Sequence, residues 1–438
     1  LRATALLISA ASLLSGTPSF GATSVEDAAP EQWSAHFQAT LVPQFHGPFD
    51  AAYSGPNSLS NAFESNTSLT STLFLSGRLW KGAEGYLNPE ISAGSGFSGT
   101  HGMAGFPNGE IYRVDSPTPK PNLSRLFIQQ RFGLGGESES FEDDKNQLAG
   151  RADQARITVV AGKFSLNDYF DGNAYSHDPR TQFLNWSLMD NAAWDYAADT
   201  RGYTWGFMIE LNEPRWAIRF SSVLEPYEAN QLDFDTDVAQ AHGDNLELEV
   251  RYALSAQPGK ARLLAYANHA RMGSYAEALA LSPVAPDVTQ TRDYRTKYGL
   301  GLNLEQAVNE DLGLFARLGW NDGATESWAF TEVDQTASLG AAMKGVPWSR
   351  PGDTVGGAAI VNGLSHDHAA YLAAGGVGFI IGDGALTYAP EEILEVYYSF
   401  LVIKGGTISA DYQWVDHPAY NQDRGPASIF AGRLHYEF

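Results

Sequence analysis

Between residues 165 and 199, Tyr169, Phe170, Tyr175, Phe183, Trp186, Trp194 and Tyr196 are interleaved with Asp168, Asp171, His177, Asp178, Arg180, Asp190, Asp195 and Asp199, and Lys163 and Phe164 precede them. Aromatic faces pack on the C–H faces of sugars, whereas carboxylates and guanidinium forks hydrogen-bond hydroxyls. A loop this rich in rings has to bury them, and folding inward to narrow a lumen is one way to do so. A cap packed on a rim, with its charges in water, is the other reading.

Strand parity adds polar rows. Arg78 shares its parity with Thr70, Thr72 and Ser76, Glu84 and Asn88 share theirs with Glu90, and Arg125, Gln129 and Arg131 form a third row. Each row is expected on the wet side of a wall. Opposed basic and acidic rows would orient hydroxyl dipoles without trapping either ion sign, although such side chains also pair simply with one another. The expected solute-contacting set is Arg78, Glu90, Lys163, Asp168, Asp171, His177, Asp178 and Arg180, with no catalytic residue, metal ligand or cofactor.

Other motifs do not carry chemistry. Gly94-Ser95-Gly96-Phe97-Ser98-Gly99 fits GxGxxG, but a Gly- and Pro-rich stretch follows where a dinucleotide site needs a helix. Asp233, Asp235 and Asp237 resemble a calcium loop in which Val238 replaces the required Gly. His366-Asp367-His368 places adjacent side chains in diverging directions. No nucleophile elbow is present, so an enzyme of the membrane wall lacks its constellation.

The composition bounds the class. With 28 Lys plus Arg against 51 Asp plus Glu, the formal charge of −23 disfavours nucleic-acid partners. Zero Cys excludes disulfides and thiolate chemistry. Arg2, the apolar run from Ala3 to Leu14 and the small-residue segment Ser19-Phe20-Gly21 read as a secretory signal over 1–21, leaving 22–438 as the exported domain.

The exported part is all-β. Strict alternation recurs in about sixteen segments, roughly 34–45, 69–80, 83–94, 123–134, 155–164, 200–212, 215–224, 244–254, 260–270, 294–304, 311–321, 328–339, 354–363, 393–403, 406–415 and 428–438. Each is about the 9–11 residues a tilted strand needs to cross a bilayer. Long connections alternate with short turns, the signature of an antiparallel transmembrane β-barrel with long extracellular loops and short periplasmic turns. The acidic stretch 135–154 on the short side and the brief 322–327 on the long side depart from that pattern. A secreted lectin-like sandwich is the soluble alternative.

Three blocks carry a family likeness: 162–206 (GKFSLNDYFDGNAYSHDPRTQFLNWSLMDNAAWDYAADTRGYTWG), 77–90 (GRLWKGAEGYLNPE) and 353–382, together with the ending 411–438, whose alternating last strand stops on Phe438. The chain resembles the carbohydrate-selective porins of Gram-negative outer membranes, the OprB type. The resemblance implies a sixteen-stranded barrel admitting glucose and related sugars by passive diffusion, placed in outer-membrane lipid by the assembly machinery that reads such endings. A porin for an organic acid or polyol is the alternative, and lateral pairing into a homo-oligomer is compatible with the sequence.

Overall fold

The computed structural model describes residues 31–110 and 116–438. The expected signal segment 1–21 lies outside the described residues. Sixteen antiparallel strands close into one barrel. They are β1 Trp33–His46, β2 Glu64–Trp80, β3 Ala83–Gly94, β4 Ser116–Gly133, β5 Arg156–Phe164, β6 Thr204–Glu213, β7 Trp216–Val223 and β8 His242–Leu254. The second half comprises β9 Gln257–Ala270, β10 Arg295–Ala307, β11 Leu312–Asn321, β12 Gln335–Gly345, β13 Arg350–Gly363, β14 Glu391–Ile403, β15 Gly406–Asp416 and β16 Ala427–Glu437. Closure pairs β1 with β16, for example Leu41 opposite Leu434, so every strand has two neighbours and no open edge is left for lipid.

The alternation sorts side chains as the pleat requires. Along β8, Asn245, Glu247 and Glu249 are buried inside, whereas Leu246, Leu248 and Val250 are exposed on the outer wall. The same outer band continues through Leu263, Leu300, Leu318, Leu339, Leu394 and Leu434, all exposed. An apolar belt of this kind suits hydrocarbon, and Trp33, Trp80, Trp205, Tyr298 and Phe438 add exposed aromatic rings to it. Among the described residues no helix is long and apolar enough to cross a membrane, so the strands must do it.

Two expectations are corrected. The pattern over 328–339 predicts a strand, yet β12 begins at Gln335, because Trp328 to Thr331 turn inward and give their N–H groups to Asp195. The connection there consequently runs over 322–334 rather than the brief 322–327, and the long side is long throughout. The acidic stretch on the short side contains a β-hairpin, Ser138–Phe141 paired with Gly150–Asp153. It leans along the short-turn rim: Arg156 meets Glu139 at 2.5 Å, Arg78 donates to the Ala149 carbonyl at 3.3 Å, and Asp143 meets His36 at 2.8 Å. At its tip Lys145 Nζ lies 2.5 Å from Glu437 on β16.

The largest apolar cluster lies inside the barrel and is drawn mainly from the inturned long loops: Phe106, Leu166, Phe170, Trp186, Trp194, Tyr196, Phe330, Ile380 and Tyr420. Loops withdrawn from water need partners for their backbone N–H groups. Carboxylates supply them. Glu391 accepts from Ala104, Gly105 and Ala419, Glu395 from Leu184 and Asn185, Glu332 from Ile380 and Ile381, and Asp195 from residues 328 to 331. Part of the acidic excess is thus structural, holding the lumen's filling in place.

Candidate functional site

The 165–203 loop leaves β5, crosses the lumen and is tied to the opposite walls. Asp171 receives Arg317 Nε of β11 at 2.7 Å, Asn185 Nδ2 reaches Gln413 of β15 at 2.9 Å, and Arg433 of β16 holds the carbonyls of Pro179 and Gln182 at 2.7 and 2.6 Å. On the near side Asp168 closes a capping box with Ser165 and forms a bidentate pair with Arg125 of β4, at 2.7 and 2.5 Å. Beside this strap lies a cavity of about 300 Å³.

Arg180 is the centre of that cavity's electrostatics. Its Nε lies 2.7 Å from Glu110 Oε1, and its Nη2 lies 4.0 Å from Glu90 Oε2. Glu90 accepts in addition from Thr72 at 3.0 Å and Tyr203 at 3.1 Å, and Glu110 accepts from the Thr70 hydroxyl. Asp178 caps the turn that presents Arg180, accepting from its backbone N–H at 3.0 Å. Burial pushes the Glu110 carboxyl up, against the pull of Arg180 and Thr70. Burial works upward on Asp178 too, but Arg180 and then Lys145 outweigh it and hold that carboxyl below its ordinary value. Burial, with Arg317 adding to it, keeps the His177 imidazole below its usual range.

Rings complete the lining. Trp186 sits 4.5 Å from Phe330 between centroids, Tyr196 stacks on Phe330 at 5.2 Å, and Phe106 stacks on Trp186 at 5.1 Å. Trp186, Tyr196 and Phe330 thus line the same small space as the paired charges, with Phe106 behind Trp186.

Of the residues singled out from sequence, Glu90, Asp168, His177, Asp178 and Arg180 line this cavity together. Lys163 stands just beside it, 3.5 Å from Asp199 and 5.8 Å from the Tyr203 ring centroid. Asp171 does not line it: the carboxylate is buried against Arg317 and anchors the strap. Arg78 faces the lumen as its parity requires, but at the short-turn rim, where it meets Glu84 at 3.1 Å and the hairpin. Glu110, Tyr203 and Phe330 are among the lining residues that sequence reasoning missed. They come from three separate loops, and only Glu110's isolation in a Gly- and Pro-rich stretch hinted at a role.

Residues 19–438 match the carbohydrate-selective porin, OprB family. The chain belongs to that family. It is a sugar-selective porin of the Gram-negative outer membrane, a channel family and not an enzyme family. The high-pH structure of Pseudomonas putida OprB is similar in fold, with TM-score 0.71 and 17% identity over 93% of this chain and 94% of that one. The outer membrane channel DcaP of Acinetobacter baumannii aligns with TM-score 0.51 and 10% identity, over 93% of this chain and 97% of that one. No match was found among curated proteins. Within an OprB-family barrel, the long loops are extracellular and the short turns periplasmic, so the loop residues that line the cavity belong to extracellular loops.

Proposed function

We propose that this cavity is a constriction of the lumen and the selectivity site, and that a neutral monosaccharide such as glucose passes it one molecule at a time. The observation that carries this reading is that Trp186, Tyr196 and Phe330 share the lining of one cavity of about 300 Å³ with the Arg180–Glu110–Glu90 group. That volume is at the small end of ligand pockets, about 300–1,000 Å³. A pyranose would set its C–H groups against the ring edges that reach the cavity while Arg180 donates to its hydroxyls and Glu90, Asp168 or Asp178 accept from them. Because each charge already has a counter-charge or hydrogen-bond partner, a neutral solute replaces one weak contact with another, and no ion of either sign finds a deep trap. Lys163 and His177 shape the edge of this passage. Arg78 and the periplasmic hairpin belong to the exit, where they narrow the mouth after selection. Residues 1–21 serve as the export signal, and the Phe438 strand addresses the barrel to the assembly machinery.

Liposome swelling tests the reading. Wild-type protein should admit glucose faster than a disaccharide or an amino acid, and Arg180→Gln should blur that order and raise ion conductance while the barrel still inserts. Unchanged selectivity and conductance in this variant would remove the constriction from the selective step.

A further inference from the structure

His242 opens β8 and His269 stands directly across from it near the end of β9, as a register pair. Their neighbours Gly243 and Asn268 point into the lumen, so both imidazoles and Asp244 lie on the outer wall, just above the apolar row that starts at Leu246. The ring centroids are 4.5 Å apart. His242 Nε2 is 3.7 Å from Asp244 Oδ2, too far for a hydrogen bond, and Nδ1 of His242 is enclosed without any partner. His269 Nδ1 is held by the Thr296 hydroxyl of β10 at 2.8 Å, which fixes the ring and leaves Nε2 available. One ligand atom from each of the three residues lies within 4.8 Å of the other two.

From this we propose that His242, Asp244 and His269 form a divalent transition-metal site, with zinc the fitting ion, on the outer wall at the extracellular rim. Two imidazoles and one carboxylate are a three-ligand zinc set, with water in the fourth position. Metal–ligand bonds of about 2.0–2.2 Å require the ligand atoms to close by about an ångström, a movement that side-chain rotation at a half-exposed rim allows. Calcium and magnesium, which seek oxygen cages, do not fit two imidazoles. Thr296 supplies the second hydrogen bond that ligating histidines use for orientation. The bound ion would clamp the roots of two extracellular loops, 224–241 and 271–294, where they leave β8 and β9. This site is outside the lumen, and its existence does not depend on the sugar-binding reading.

The test uses tag-free full-length protein in detergent, titrated with zinc against a chromophoric chelator, with heat-modifiable gel migration as the check that each variant is folded. Wild type should take up one zinc ion per chain, retained in excess calcium and magnesium. His269→Gln and His242→Gln should each weaken uptake by at least about tenfold, and Thr296→Val by about 10–100-fold through the lost orienting bond. Zinc should raise the melting midpoint of wild type and not of His269→Gln, and sugar flux should be the same in both. Zinc uptake that is absent in wild type, or identical in wild type and the double histidine variant, would overturn the proposal; the second result would place the ion on other histidines.

Discussion

Arg180 Nε and Glu110 Oε1 meet at 2.7 Å although they come from two different extracellular loops. The pair sits among carboxyls shifted in opposite directions: burial raises Glu110, whereas Arg180 and Lys145 outweigh burial at Asp178 and lower it. On acidification Glu110 takes up its proton above the ordinary glutamate range, and Asp178 keeps its charge to below the ordinary aspartate range. Cation preference, read as reversal potential across a salt gradient, should thus fall in two steps, and Glu110→Gln should lack the earlier one. A single step shared by both proteins would contradict it. The stability signs are opposite as well: Glu110's contribution is present at low pH and lost as pH rises through its folded pKa, and Asp178's is present above its unfolded pKa and lost as pH falls through its folded one.

Asp195 should be the costliest single loop residue to remove. Its carboxylate takes N–H groups from Trp328, Ala329, Phe330 and Thr331 at 2.8 to 3.4 Å and lies 3.6 Å from Lys297 Nζ, with both side chains fully buried. Asp195→Ala leaves a buried ammonium without its counter-charge, a loss of about 3–5 kcal/mol. Calorimetry should show a lower melting midpoint, and single-channel records should be noisier as the 322–334 loop loosens. An unaltered midpoint would mean that the loop is held by its rings.

The hairpin at the periplasmic mouth should act on conductance and not on folding. Its tip is fastened by Lys145 to Glu437 and by Asp143 to His36, both pairs part-exposed and each worth about 0–1 kcal/mol. Replacing residues 137–154 by a short Gly-Ser turn should raise single-channel conductance and, because Lys145 is lost with the hairpin, move the Asp178 step to higher pH. Equal conductance would show that the hairpin stands clear of the solute path.

Leu248 and Glu247 test the wall itself, since one is exposed to lipid and its neighbour is buried inside. Leu248→Arg should destabilise the folded barrel by about 2–4 kcal/mol if it lies near the bilayer midplane. Folded fraction in bilayers across a denaturant series reads this out. Leu248→Phe, which keeps the outer face apolar, should insert normally. Equal folding of the arginine and phenylalanine variants would refute the lipid-facing assignment.

Much of this molecule is local in origin and therefore legible along the chain. A pleated strand puts successive side chains on opposite faces, so Glu247, Leu248 and Glu249 declare their sides without reference to any neighbour, and so do Arg78 and Glu90. The turns and the aromatic density of 165–199 are equally local, which is why the barrel and the need of that loop to bury its rings could be read from sequence, while an inward fold and a rim cap both stayed open. Which loop residues meet is a different matter. Glu110 reaches Arg180 and Asp195 gathers the backbone of 328–331 only because closure of the barrel gathers separate loops into one lumen, whereas His242 faces His269 through the local register of the β8–β9 hairpin. Hydrophobic alternation misread 328–334 as strand for the same reason: its rings are buried by other loops and not by a sheet face. Pairing across long loops depends on three-dimensional proximity that no period or motif encodes, and it decided which side chains line the cavity, the pairing of Asp171 with Arg317 and the place of Arg78 at the short-turn rim.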